Sequence, residues 1–106
     1  MTELINIDGQ KIELKHIAFD TALDWHQAKQ NCSDLGKGWR LPTISELKFI
    51  YKELHKKDNF HSAIYWSGTE SSSLRAWTLD FALGTDDHGY HKDKKAFMMA
   101  VRTKHI

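Results

Sequence analysis

The run Gly84-Thr85-Asp86-Asp87-His88-Gly89-Tyr90-His91-Lys92-Asp93-Lys94 carries the densest set of side chains able to do chemistry. Carboxylates and imidazoles are common metal donors, which makes Asp86, Asp87, His88 and His91 the candidate ligands. Their order matches neither the alternating oxygen donors of a calcium loop nor a spaced zinc motif, so the run reads as a polar hairpin or a binding site and calls for no cofactor. Glu70 to Arg75 is the second polar stretch. Its serines, one acid and one base show no apolar periodicity, as in an exposed loop, and loops on rigid scaffolds often carry recognition. The candidate binding residues are therefore Glu70, Ser72 and Arg75 from one stretch and Asp86, Asp87, His88, Tyr90 and His91 from the other. Arg75, His88 and Tyr90 are of the charged and aromatic kind found at contact hot spots.

Catalytic patterns are scarce. Seven histidines and many serines make chance Ser/His/Asp combinations unavoidable, but no nucleophile elbow, metalloprotease helix or phosphate-binding glycine loop is present. Cys32 is the single cysteine, which excludes an intrachain disulfide and a cysteine-based zinc cage within one chain. It falls on the apolar side of an expected helix, where a thiol acts as a small hydrophobe.

Charge narrows the partners. Fifteen Lys and Arg against fourteen Asp and Glu leave a net charge of +1, so no global field draws the chain to nucleic acid or to an anionic membrane. No apolar run approaches the roughly 20 residues that span a bilayer. The N-terminus MTELINIDGQKIEL alternates where a signal peptide would be continuously apolar, which reads as a cytoplasmic chain or one exported by a route it does not encode.

The elements that must position these residues follow from periodicity. Leu4 to Ile7 and Lys11 to Ile17 alternate around Asp8-Gly9, the pattern of a β-hairpin. Ala22, Trp25, Ala28, Cys32 and Leu35 recur at helical spacing, with Thr21 as the expected N-cap and Gly36 as the stop. Thr43 and Glu46 form a capping box ahead of Ile44, Leu47, Ile50, Tyr51 and Leu54, which share one face of a second helix; Lys48, Lys52, Lys56 and Lys57 read as its solvated side. Beyond Ile64-Tyr65-Trp66 the period becomes two, with Trp77, Leu79, Phe81 and Leu83 expected against a core and Thr78 and Asp80 facing away. Phe97 to Val101 is apolar throughout, as in a central strand covered on both faces. The whole is an α+β arrangement of two helices packed on an antiparallel sheet, expected as a single domain over residues 1–106.

Gly38-Trp39-Arg40-Leu41-Pro42-Thr43, then Tyr65-Trp66-Ser67-Gly68-Thr69-Glu70 and Ala76-Trp77 with Phe81 and Gly84, resemble an uncharacterised bacterial family of C-type-lectin-like domains, found among other places at the C-terminus of collagen-like adhesins. The resemblance covers about Thr21 to Arg102 and includes Trp25 in the first helix. It implies a C-type-lectin-like fold in which Trp25, Trp39, Arg40, Leu41, Pro42, Thr43, Glu46, Trp66 and Trp77 are structural. Independently of it, Pro42 forces Leu41 extended and lets the chain turn into the helix capped by Thr43, and Arg40 suits a structural bridge to a carboxylate or to loop carbonyls.

Sugar-binding C-type lectins carry a Glu-Pro-Asn or Gln-Pro-Asp tripeptide with a Trp-Asn-Asp. Here Pro42 is the only proline and Trp77-Thr78-Leu79-Asp80 the nearest echo, so calcium-dependent sugar binding is not implied. The formylglycine-generating enzymes of the same broad fold use a cysteine pair that this chain lacks. The leading reading is a non-catalytic module whose loops Thr69 to Arg75 and Thr85 to Asp93 recognise a protein, with a glycan as the other candidate. A phage or mobile-element accessory protein acting in the cytoplasm and a small hydrolase or transferase stay open, as does self-association through a surface tryptophan.

Overall fold

The computed structural model describes residues 3–16, 21–56 and 60–104. Ile17 and Lys57, the ends of two expected patterns, lie outside them. Alternation around Asp8-Gly9 produces a hairpin of β1 (Glu3–Ile7) and β2 (Gln10–Lys15), with Ile7 opposite Gln10. Two residues turn the chain, both at left-handed φ, 50° at Asp8 and 83° at Gly9, which matches the twist of the paired strands.

The first helix, α1 (Trp25–Asp34), buries Trp25, Ala28 and Cys32. Its N-cap is Asp24, not Thr21. Leu23 exchanges backbone hydrogen bonds with Ala96 and keeps the chain extended, so the helix can start only beyond it; Asp24 and Gln27 then cap each other reciprocally. The second helix, α2 (Ile44–Leu54), starts at Thr43, whose hydroxyl accepts the Glu46 amide while the Glu46 carboxylate accepts the Thr43 amide.

The remaining strands are β3 (Ile64–Glu70), β4 (Arg75–Asp80), β5 (Asp86–His91) and β6 (Ala100–Thr103). They form two antiparallel three-stranded sheets, β1-β2-β6 and β3-β4-β5, so the helices pack on two sheets where one was expected. A backbone pair of Tyr65 with Phe97 links β3 to the segment leading into β6, and one of Arg40 with Val101 holds the loop before α2 on β6. The apolar segment before β6 accordingly joins the sheets through its first residues and enters a ladder only at Ala100, which corrects the single strand expected over Phe97 to Val101.

Both faces of β3-β4-β5 are covered. Tyr65, Leu79 and Phe81 pack with Leu47 and Ile50 of α2, while Trp66 and Ala76 pack with Trp25, Ala28 and Cys32 of α1. That arrangement overturns the one-sided pattern expected for β4. Thr78 is buried, Trp77 is half-buried, and Leu83 is 74% exposed because the strand ends in a turn where Asp80 accepts the Ala82 and Gly84 amides. The segment expected as a loop over Thr85 to Asp93 is mostly strand β5, recruited by pairing with β4 despite its polarity. No helix among the described residues is long and apolar enough to cross a membrane.

Candidate functional site

The antiparallel pairing of β4 with β5 separates the polar residues into two groups. Arg75 lies opposite His91 and Ala76 opposite Tyr90 at one end, whereas Thr78 lies opposite Asp87 and Leu79 opposite Asp86 at the other. The first group is occupied with internal bonds. Ser72 closes the β3–β4 turn by accepting the Leu74 and Arg75 amides, and Arg75 donates to the Gly89 carbonyl at 2.7 Å. Tyr90 stands edge-on to Trp66, and its hydroxyl donates to the Lys95 carbonyl; burial, then the charge of Asp87, push that phenol up. His91 accepts the Asp93 amide.

Lys92 holds this end together. It is 4% exposed, donates to the Glu70 carboxylate at 2.7 Å and to the Ser73 carbonyl at 3.0 Å, and sits 4.1 Å from the centre of the Trp25 ring. The bond from Lys92 holds the Glu70 carboxyl below its ordinary range. In sequence Lys92 is one lysine in a polar run, and only the pairing register turns it inward.

At the second end Trp77, Asp86 and His88 form an open surface on the α2 side. Trp77 lies 5.4 Å from His88, and the Lys48 ammonium of α2 is 5.9 Å from the Trp77 ring and 2.7 Å from Asp86. The hydrogen bond from Lys48 holds the Asp86 carboxyl ionised below its usual range. A hollow of about 620 Å³, lined by Lys48, Tyr51, Leu79, Gly84, Thr85 and Asp86, adjoins the surface and shares Lys48 and Asp86 with it. Gly84 is required there: its φ is +76°, and a Cβ would meet the Tyr51 ring at 2.9 Å. The surface therefore offers an indole flat, a cation, a carboxylate and an imidazole beside a recess, a combination suited to non-covalent contact. Sequence reasoning assigned Trp77 to the core and Lys48 to a plain solvated face; their meeting depends on how α2 crosses β4.

Metal-donor types do not converge. Asp87 accepts the Gly89 amide, Asp86 pairs with Lys48, and His91 is turned toward Asp93; no cluster of three or more His, Cys, Asp or Glu that could hold a metal ion occurs among the described residues.

The two tryptophan-containing motifs meet elsewhere, at the start of α2. The Gly68 amide donates to the Pro42 carbonyl at 2.7 Å, and the Ile44 amide donates to the Thr69 hydroxyl at 2.9 Å. Arg40 grips both oxygens of Glu46, at 2.6 and 2.9 Å, and reaches Thr103 at 3.3 Å. Trp66 and Trp25 donate their ring N–H to the Leu23 and Ser67 carbonyls, and Trp39 stacks beneath Arg102. Leu41 and Pro42 are buried. A hollow of about 350 Å³ between Lys29, Trp39, Leu41 and Thr69 opens beside this joint. Cys32 is buried in the cluster with Trp25, Ala28 and Leu41, and burial pushes its thiol up to about 12.

The family model of the Lcl C-terminal domain matches residues 7–102. The chain belongs to this family. Among solved structures, this Lcl C-terminal domain is similar to botrocetin, with a TM-score of 0.62, 14% identity and 96% of each chain covered. It is likewise similar to EMS16, described as an antagonist of the collagen receptor integrin α2β1, with a TM-score of 0.61, 14% identity, and 95% of this chain and 97% of that one covered. No curated protein matches. The likeness is one of fold: the Lcl C-terminal domain here is α+β and C-type-lectin-like, with its two helices set against two antiparallel sheets.

Proposed function

We propose that the chain is a single non-catalytic recognition module that binds a protein partner on the α2 side of β4 and β5. The observation that carries this reading is Trp77, half-buried and flanked by Lys48, Asp86 and His88 beside the 620 Å³ hollow. A large rigid aromatic ringed by charges at the lip of a recess is the arrangement from which contact hot spots are built. Asp87 adjoins this surface between Asp86 and His88, while Glu70, Ser72, Arg75, Tyr90 and His91 stand toward its far end in bonds of their own. The fold supports the reading as well, since EMS16 uses a similar scaffold as an antagonist of a receptor protein.

The test is a capture from cells that produce the chain, followed by titration of the captured protein against variants. Trp77→Ala and His88→Ala are expected to weaken affinity, with Trp77→Ala costing at least about 2 kcal/mol, or roughly 30-fold. Lys37→Ala, outside this surface, is expected to leave it unchanged. Equal affinity for all three variants and the native chain would remove the site from this surface.

A further inference from the structure

The two sheets end on edge strands of opposite character. The outer edge of β3-β4-β5 is β5, and side chains close it: Asp87 accepts the Gly89 amide at 2.8 Å, Arg75 of β4 donates to the Gly89 carbonyl at 2.7 Å, and Asp86, Asp87 and His88 are exposed along it. Charges and blocked backbone groups are how native sheets keep their edges from pairing. The outer edge of β1-β2-β6 is β1, Glu-Leu-Ile-Asn-Ile, with no lysine, arginine or proline and with Leu4 53% exposed.

Hairpin geometry fixes which backbone groups β1 presents. Ile7 and Gln10 flank a two-residue turn and are therefore a hydrogen-bonded pair; bonded and non-bonded pairs alternate, so Ile5 and Glu3 also bond to β2. The N–H and C=O groups of Leu4 and Asn6 consequently point out of the sheet, and no described residue takes them.

We propose that β1 pairs with β1 of a second copy of this chain, antiparallel about a two-fold axis at Ile5, to give one continuous six-stranded sheet. In this register Leu4 faces Asn6 of the second copy, and each of the two facing pairs exchanges both of its backbone bonds. Ile5 meets Ile5 of the second copy in a close non-bonded pair, where side chains approach nearest. Glu3, the only charged residue of the strand, falls opposite Ile7, so no like charges oppose one another. The strand is thus complementary to itself, and a two-fold pairing closes on two copies without leaving a free β1 edge. One short strand per copy places the contact below about 1,200 Å² of buried surface, in the range of weak, reversible interfaces.

Sedimentation velocity on the full chain, from low micromolar to near-millimolar concentration, tests this. The mass is expected to rise from monomer toward dimer. Asn6→Pro removes an amide that points away from β2 and leaves the hairpin ladder intact, while Leu4→Lys adds a charge at an exposed position; both are expected to stay monomeric with native melting temperatures. Should Asn6→Pro fail to fold, Leu4→Lys decides alone. Mild oxidation of Ile5→Cys is expected to cross-link the dimer through residue 5 and leave buried Cys32 as a thiol. A native chain that stays monomeric throughout, a dimer that survives Leu4→Lys, or no cross-link at residue 5 would each overturn the proposal.

Discussion

Replacing Arg40 with alanine removes both donors to the Glu46 oxygens, at 2.6 and 2.9 Å, together with the contact to Thr103. The Glu46 carboxylate is then left with the single bond it accepts from the Thr43 amide. Its side chain is 14% exposed, so the loss falls on a mostly buried carboxylate, whereas the Arg40 side chain is 39% exposed and partly screened by water. Breaking a fully buried pair costs about 3–5 kcal/mol and an exposed one under about 1, so about 2 kcal/mol is expected here. At about 4–8 °C per kcal/mol for a domain near this size, the melting temperature falls by roughly 10 °C.

The pH dependence follows from the same carboxylate. Burial alone would push Glu46 up, but the hydrogen bonds from Arg40 and Thr43, with the Arg40 charge, hold it below its ordinary value. A carboxyl depressed on folding stabilises above its unfolded pKa of about 4.3 and loses that contribution as pH falls through the folded value. Melting curves of native and Arg40→Ala chains at pH 7 and in acid are the assay. The gap between them is expected to narrow in acid. Equal melting temperatures at pH 7, or a gap that widens in acid, would refute the bridge between this loop and α2.

Cys32, with its thiol pushed up to about 12 by burial, is expected to resist a disulfide reagent at pH 8 in the native state and to react fully in denaturant; rapid native reaction would contradict its burial. Gly84→Ala combines a positive φ with a Cβ against Tyr51 and is expected to cost about 1–3 kcal/mol in chemical unfolding, while Gly9→Ala, which meets no atom within 4 Å, bears only the backbone part. Lys92→Ala removes the cation over Trp25 and is expected to cost about 2 kcal/mol, with a shift in tryptophan emission; an unchanged spectrum would place Lys92 away from that ring.

Local signals in the sequence suffice where a few neighbouring residues decide the structure. Asp8-Gly9 makes its turn and the Thr43–Glu46 box starts its helix because both depend on groups within four residues of each other. The start of α1 departs from its helical pattern because Leu23 pairs with Ala96, which lies far along the chain. The same cause hid the candidate site. Whether Asp86 to His91 is loop or strand and whether Trp77 faces core or solvent depend on the register of β4 with β5, and β4 buries the polar Thr78 while β5 is exposed or half-buried along its length. Period-two patterning cannot identify a sheet that α1 and α2 cover from opposite sides, because Thr78 and Leu79 are then buried together.

Binding at the surface around Trp77 is tested most directly by amide chemical shifts of the labelled chain, recorded while its captured protein partner is added. The largest changes are expected on Lys48, Trp77, Asp86 and His88, which pairing and packing bring together. Changes centred instead on Lys29, Trp39 and Thr69, around the other hollow, would contradict it.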